Sequence, residues 1–145
     1  MPRIMRRMNI ISRCQALYRA ERIAGELQPC HHAFVLSISR EPGRSQEQIA
    51  RELCLNKSTV ARAIAQLEER GFVKRAEIAE DKRRTAVYPT EKMLAALPLV
   101  RAVALEWNEQ IAGEVGEEEM AVFESVLEKL EKSARALVGY GGDDE

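Results

Sequence analysis

Apolar residues recur every three or four positions through most of this 145-residue chain, which predicts a mainly helical protein. Two stretches, Phe72–Arg75 and Thr85–Tyr88, are instead typical of short strands joined as a β-hairpin. Helices are predicted over 4–26, over Cys30–Ser39 with Pro29 opening it, directly after Ser45, directly after Asn56, from Glu91 to about Gly113, and over Glu117–Leu137. The pattern therefore indicates a mainly α fold with one small hairpin.

The third and fourth helices carry start and stop signals that place them close together. Ser45 with Gln48 three residues later forms a capping-box pattern, and Asn56 is a favourable N-cap for the next helix. Gly71 predicts a left-handed end to the fourth helix. Two short helices across a tight turn are typical of a helix-turn-helix unit.

The fourth helix separates apolar from polar positions. Val60, Ile64 and Leu67 predict its inner face, and Thr59, Arg62 and Gln66 repeat the same spacing on the opposite side. Arginine pairs with guanine, glutamine with adenine, and hydroxyl groups reach phosphates, so such a face suits the major groove of DNA. An ordinary solvated helix face is the alternative. The candidate DNA contacts here are Lys57, Ser58, Thr59, Arg62 and Gln66.

A charged segment, Glu80–Arg84, lies between the two predicted strands and is expected to form the loop of the hairpin. It is either a solvated turn or a wing with Arg83 or Arg84 at the DNA. In the second case Asp81 is expected to brace an arginine through a charge-assisted hydrogen bond. Helix, turn, helix and basic hairpin in this order are more specific together than any one part, and they predict a winged helix-turn-helix that binds DNA.

The outer helices carry more apolar positions than the compact central unit needs. Two apolar stripes on the first helix predict burial against more than one neighbour. The last helix has a seam with alternating spacings of three and four, formed by Met120, Phe123, Leu127, Leu130, Ala134 and Leu137. Packing on the same chain is one explanation, and we favour a homodimer.

These elements divide the chain into four predicted regions. Residues 1–40 hold the N-terminal dimerisation and scaffold helices, 41–92 the winged helix-turn-helix, 93–138 the C-terminal dimerisation helices, and 139–145 a disordered tail. A two-fold dimer is expected to bind a pseudo-palindromic operator in double-stranded DNA.

The net charge of −1 hides an uneven distribution. Residues 57–84 hold eight basic and five acidic side chains, whereas 93–145 hold four basic and twelve acidic ones. The local basic excess favours nucleic acid as a partner. No paired-carboxylate, phosphate-loop or nucleophile–base pattern predicts an enzyme, and no cofactor is expected.

Export and membrane signals are not evident in the sequence. No apolar run approaches the roughly 20 residues of a membrane span, and the basic start lacks the features of a signal peptide. The expected location is the cytoplasm, where Cys14, Cys30 and Cys54 would be reduced thiols.

The chain resembles the MarR family of winged helix-turn-helix regulators. The resemblance rests on three stretches, SQEQIARELCLNKSTVARAIAQLEERGFVKR, EDKRRTAVYPTEK and GEEEMAVFESVLEKL. It implies an obligate homodimer with an intertwined helical dimerisation domain, most often a repressor. It also implies DNA contacts at Lys57, Ser58, Thr59 and Arg62, and a wing pair of Asp81 and Arg83 with Arg83 in the minor groove. Pro89 and Met93 depart from the family pattern, at the joint between the DNA-binding unit and the dimerisation helices.

Family members commonly release DNA when a signal reaches this joint, and two local features bear on the signal. His31, His32 and Phe34 form a candidate pocket for a small aromatic or anionic effector, with a purely structural role as the alternative. Cys14 resembles the first-helix cysteine of the family's peroxide-sensing branch, although a buried structural thiol fits it equally. Consecutive ligands Cys30, His31 and His32 on a helix point apart and do not predict a metal site.

Overall fold

The computed structural model describes residues 3–140, apart from the side chain of Lys82, as six α-helices and a three-stranded antiparallel sheet. The elements in chain order are α1 (Ile4–Arg22), a 3-10 helix (Pro29–His31), α2 (His32–Arg40), β1 (Arg44–Ser45), α3 (Gln46–Leu53), α4 (Lys57–Glu69), β2 (Val73–Ile78), β3 (Asp81–Pro89), α5 (Glu91–Ala112) and α6 (Glu117–Leu137). The mainly helical fold with a hairpin wing is confirmed. The described chain divides into two compact units on either side of the Trp107–Asn108 bond.

The first helix is shorter than its apolar pattern predicts. It ends at Arg22, because Ile23 is extended and Gly25 takes a φ of +109°. Ile23 and Leu27 are both buried in the core, with exposed fractions of 5% and 6%. The chain therefore leaves the helix early and uses these two apolar residues in the loop. Extending the helix to residue 26 was wrong for this reason.

The caps of the helix-turn-helix are confirmed. The Ser45 hydroxyl accepts the backbone N–H of Gln48 at 3.2 Å, and the Gln48 side chain accepts the N–H of Ser45 at 2.8 Å. The Asn56 side chain accepts the N–H of Thr59 at 2.7 Å at the start of α4. Gly71 follows α4 with a φ of +80°, the left-handed conformation that glycine adopts without strain. Short-range hydrogen bonds therefore set the starts of α3 and α4.

The sheet is larger than the sequence predicted. Its order is β1-β3-β2, and the two-residue strand β1 pairs with the end of β3 through Arg44 opposite Val87. Residues Asp81–Arg84 belong to β3 and not to a loop, because Ile78 pairs with Asp81 across the two residues Ala79 and Glu80. A two-residue connection is enough to join antiparallel strands. The prediction of a five-residue charged loop was therefore wrong.

The core lies between α2, α3, α4, the base of the wing and the first half of α5. Val60, Ile64 and Leu67 are each fully buried, which confirms the predicted inner face of α4. Met93, one of the two departures from the family pattern, is also fully buried at the start of α5. Pro89, the other departure, ends β3 opposite Val73.

A polar network ties the end of α2 to α3. The Arg44 guanidinium donates to the Ser37 carbonyl at 3.0 Å, to the Ser37 hydroxyl at 2.6 Å and to the Glu52 carboxylate at 2.6 Å. Arg40 also pairs with Glu52. The side chains of Arg44 and Glu52 are 15% and 25% exposed, so this pair is better shielded from water than a surface salt bridge. It holds α3, and thereby the turn before α4, against the scaffold.

The apolar positions of α1 and α6 behave differently from those of the core. Neither helix contains a buried residue within the described chain. On α1, Ile11 and Leu17 are 49% and 69% exposed. The predicted burial of α1 against more than one neighbour therefore does not occur within a single chain. On α6, Phe123 and Leu130 of the predicted seam are 53% and 43% exposed. Both helices therefore present apolar surface that a single chain leaves uncovered.

Cys14, Cys30 and Cys54 are free thiols that form no disulfide, and all three residues are exposed. None of the helices within residues 3–140 has the length and apolar character to cross a membrane. The predicted disordered tail 139–145 falls mostly outside the described residues, which end with Gly139 and Tyr140 after α6.

Candidate nucleic-acid interface

Helix α4 presents three distinct sides, because successive residues are turned by about 100° around a helix axis. Ser58, Arg62 and Ala65 lie opposite the buried side and are exposed. Among the described residues Arg62 makes no hydrogen bond or ion pair through its guanidinium. An exposed, unpaired arginine between small residues is suited to approach a DNA groove.

A second side of α4 faces the 3-10 helix. Thr59 is half-buried there, and the Gln66 side-chain oxygen lies 3.0 Å from His31 Nε2. Thr59 and Gln66 are seven residues apart, close to two full turns, so they share this side. Gln66 is exposed like Arg62, and Thr59, Arg62 and Gln66 line one cavity together. The three predicted outer residues are therefore neighbours on the surface of α4, and their contact with DNA stays a prediction.

The third side of α4 faces the wing and forms one wall of a groove of about 240 Å³. This groove, called the wing groove, is lined by Ser45, Gln46, Glu47, Lys57, Ala61, Arg83, Arg84 and Thr85. The Lys57 ammonium lies 3.2 Å from the Glu47 carboxylate across it. The structure thus brings Lys57 and both wing arginines to one concave surface. Gln46 and Glu47 were missed from sequence, where the capping box had been interpreted only as a helix start.

Asp81 supports the wing through the backbone. Its carboxylate accepts the N–H of Arg83 at 3.0 Å, whereas we had expected it to hold an arginine side chain. A short acidic side chain readily bonds the backbone two residues further on, which explains the difference. The Arg83 and Arg84 side chains are exposed. Their guanidinium groups are therefore available to a partner, and Asp81 shapes the strand that carries them.

A paired contact joins α4 to the wing strand β2. Arg75 donates twice to the Glu68 carboxylate, at 3.1 and 2.8 Å. This hydrogen bonding lowers the pKa of Glu68 below its ordinary value and raises that of Arg75. The two-point contact holds the wing in a set orientation relative to α4.

The predicted effector residues separate into two places. His31 and Phe34 line an open cavity of about 520 Å³, here called the His31 cavity. Its lining consists of Arg19, Pro29, Cys30, His31, Ala33, Phe34, Leu53, Leu55, Thr59, Arg62, Ala63 and Gln66. His32 is not part of this lining, although His31 and His32 are equally buried, each 1% exposed. A role of His32 in binding an effector stays a prediction.

His32 is buried with neither ring nitrogen hydrogen-bonded within the described chain. Its pKa is lowered to about 4, first because burial disfavours the charged ring, and then because Arg19 and His31 are close. Burial likewise lowers the pKa of His31, which Gln66 partly offsets. Both imidazoles are therefore neutral near pH 7.

This lowered pKa predicts a pH-dependent stability. In the unfolded chain His32 binds a proton below about pH 6.5, whereas in the folded protein it binds one only near pH 4. The contribution of His32 to the free energy of unfolding is therefore complete above pH 6.5. As the pH falls from about 6.5 to about 4, the free energy of unfolding drops by about 3 kcal/mol at most. Urea unfolding at fixed protein concentration should show the loss. His32→Leu should flatten the pH dependence, and identical pH profiles for both proteins would contradict this assignment.

Metal-ligand groups do not assemble around the histidines. Within the described part of the chain there is no cluster of three or more His, Cys, Asp or Glu residues suited to hold an ion. The Cys30 thiol lies 3.8 Å from the Gln28 side-chain oxygen. The polar side chains that line the His31 cavity are those of Arg19, Cys30, His31, Thr59, Arg62 and Gln66.

Comparisons with known proteins agree with this geometry. A model of the MarR family matches residues 29–85. The transcriptional regulator HosA of Escherichia coli O127:H6 (strain E2348/69 / EPEC) is 32% identical over 109 residues, covering 72% of this chain and 78% of HosA. The crystal structure of the transcriptional regulator SlyA superposes with a TM-score of 0.85 at 27% identity, covering 90% of this chain and 93% of SlyA. PcaV of Streptomyces coelicolor, solved with its natural ligand, shares the fold at 19% identity with a TM-score of 0.81 over 92% of this chain and 94% of PcaV.

The helix-turn-helix, the basic wing and these relatives define a winged-helix transcriptional regulator that binds DNA. The chain belongs to the MarR family.

Proposed function

We propose that this MarR-family regulator acts as a homodimeric repressor that binds a pseudo-palindromic operator and leaves it when a small molecule binds. The observation that carries the DNA-binding surface is the placement of Arg62 on the exposed side of α4, with Lys57, Arg83 and Arg84 on the adjacent wing groove. Cations on neighbouring convex and concave surfaces match the groove and backbone of duplex DNA.

The three sides of α4 make different contacts in the proposed complex with DNA. Arg62 and Ser58 enter the major groove, where Arg62 bonds a base edge. Lys57 exchanges its bond with Glu47 for a phosphate oxygen. Thr59 and Gln66, which line the His31 cavity together with Arg62, contact the duplex beside it.

The wing contacts the same duplex beside α4. Arg83 enters the minor groove and Arg84 pairs with the backbone, while Asp81 supports the strand through the Arg83 N–H. The DNA-binding region is then 41–92.

The dimer is supported by the uncovered apolar surface. Residues 1–40 and 93–138 would supply the dimerisation helices, with the seam of α6 covered by a partner chain. A long apolar helix face left open to water favours association. Two DNA-binding units held by such a dimer would bind half-sites about one helical turn apart.

Selection from a pool of random duplexes tests the proposed function directly. We expect the enriched sequences to contain an inverted repeat with half-site centres about 10 base pairs apart. Enrichment of single, asymmetric sites would contradict the symmetric dimer. No enrichment over a non-specific control duplex would contradict sequence-specific DNA binding.

The effector is supported by the His31 cavity beside the DNA-binding surface. A cavity of this size and mixed lining suits a small aromatic or anionic molecule. His31 and Phe34 line it, and His32 supports the adjoining helix from inside the core.

A thiol switch at Cys14 is the second candidate, favoured by the exposure of this thiol on α1. Oxidation by an organic peroxide would add a polar group to a proposed dimerisation helix. We expect peroxide to release DNA from the wild type and not from Cys14→Ser, measured by fluorescence anisotropy. Equal release from both proteins, or none from either, would rule out this switch.

A further inference from the structure

The end of α4 is capped by a lysine that belongs to another helix. The last carbonyl groups of an α-helix lack partners within that helix, and a cation placed there also interacts favourably with the helix dipole. The last turn of α4 holds Glu68 and Glu69 and no basic residue. Instead Lys92, in the first turn of α5, donates from Nζ to the carbonyl of Arg70 at 2.7 Å. The position of the end of α4 is therefore tied to the start of α5.

The same lysine also contacts the loop that follows α1. Its ammonium pairs with the carboxylate of Glu26, and Arg70 donates from Nη1 to the Glu26 carbonyl at 2.7 Å. The ammonium also lies 4.6 Å from the centre of the Phe72 ring, within the range of a cation–π contact. Glu26, Arg70 and Lys92 thus join three segments of the chain, and this cluster is here called the Lys92 joint.

The Lys92 joint connects the proposed DNA-binding helix α4 to α1 and α5, two of the proposed dimerisation helices. An exposed ion pair contributes little to stability, and the side chains of Lys92 and Glu26 are 45% and 59% exposed. The joint therefore adds little to the free energy of unfolding. What its bonds supply is direction, because they hold the end of α4 to two other segments at once.

We propose, resting on the DNA-binding dimer above, that Lys92 is a positioning residue that fixes the orientation of each α4 and so makes the regulator strict about the spacing of its two half-sites. One added base pair moves the second half-site by about 3.4 Å along the duplex and turns it by about 35°. A rigid dimer meets such a site with one α4 out of register. Without the bonds of Lys92 each α4 tilts more freely, which lowers affinity for the best spacing and raises tolerance of the others.

Spacing dependence is measured by fluorescence anisotropy on the selected operator and on duplexes with one base pair added or removed between its half-sites. The wild type should lose about tenfold in affinity at either altered spacing, whereas Lys92→Met should lose about threefold or less. Both proteins should bind a duplex with a single half-site equally, because their DNA-facing residues are the same. Lys92→Arg should keep the strict profile. Lys132→Met, on α6, is the matched control and should behave as the wild type does. An unchanged spacing profile in Lys92→Met would overturn the proposal.

Glu26→Gln tests the Lys92 joint from its other side. This variant should relax the spacing in the same direction by a smaller factor, because the bond from Lys92 to the Arg70 carbonyl remains. If Lys92→Met lowers the helical content measured by circular dichroism, Glu26→Gln decides, and a strict profile in that variant would overturn the proposal.

The orientation of α4 is also measured without DNA. Spin labels at Ala65→Cys, on the exposed side of α4, report the distance between the two α4 helices of a dimer in a background of Cys14→Ser, Cys30→Ser and Cys54→Ser. Double electron–electron resonance should give a broader distance distribution for Lys92→Met than for the protein with Lys92, and equal widths would overturn the proposal. If the widths differ but the wild type binds no duplex, the DNA-binding function fails and the positioning of α4 by Lys92 stands.

Discussion

Arg62→Ala is expected to weaken binding to the selected operator by about 1–3 kcal/mol per half-site, roughly 5- to 150-fold. The reason is that an exposed arginine opposite the buried side of α4 is placed to bond a base edge, and alanine leaves that edge unpaired. Sequence preference should also relax at one position of each half-site. Anisotropy titrations with the selected duplex and with single-base variants measure both effects.

Substitution of a wing arginine should affect DNA binding differently from substitution of Arg62 in α4. Arg83→Ala is expected to weaken binding to all DNA sequences by a similar factor. It should also lower the slope of log Kd against log salt concentration by about 1 per half-site, because the substitution removes a cation from the DNA backbone or minor groove. Arg101→Ala removes an exposed arginine of α5 and is the matched control. If Arg101→Ala weakens binding as much as the other two variants, the assignment of the DNA surface is wrong.

Charges placed in the seam of α6 should produce the second large effect, conversion of the dimer to a monomer. Phe123→Glu with Leu130→Glu places two carboxylates on an apolar face, where burial against a partner would strongly disfavour them. Both residues are more than 40% exposed in the single chain, at 53% and 43%, so the fold of the chain itself should tolerate the change. Sedimentation at micromolar concentration should give a monomer, with helical content retained by circular dichroism.

Loss of the dimer should also reduce operator affinity by about 10²- to 10⁴-fold, since linked half-site binding depends on a high effective concentration of the second unit. Lys132→Glu, outside the seam on the same helix, is the control and should leave both the dimer and the affinity intact. A seam variant that remains dimeric would place the dimer contact elsewhere. A monomer with unchanged operator affinity would mean that each chain binds DNA independently.

Features that depend on residues close together in the chain could be predicted from the sequence. Capping signals at Ser45, Asn56 and Gly71 were sufficient to place the helix-turn-helix, because each acts through hydrogen bonds or backbone preferences within a few residues. The inner face of α4 was equally evident from its apolar spacing. Contacts between residues far apart in the chain were not evident from the sequence. The pairing of Arg44 with Val87 adds a strand that no local pattern indicates, and strand pairing extended the wing through residues interpreted as a loop.

The helical character, the hairpin, the helix caps and the basic residues of the wing follow from the amino-acid sequence alone. The strand β1 and the directions of the polar side chains follow from the packing of the whole fold. It turned Thr59 and Gln66 towards His31, placed His32 in the core and left Arg62 bordering two surfaces. Helix caps and apolar periodicity depend on residues within one or two helical turns. A cavity and its charge depend on packing between residues far apart in the chain.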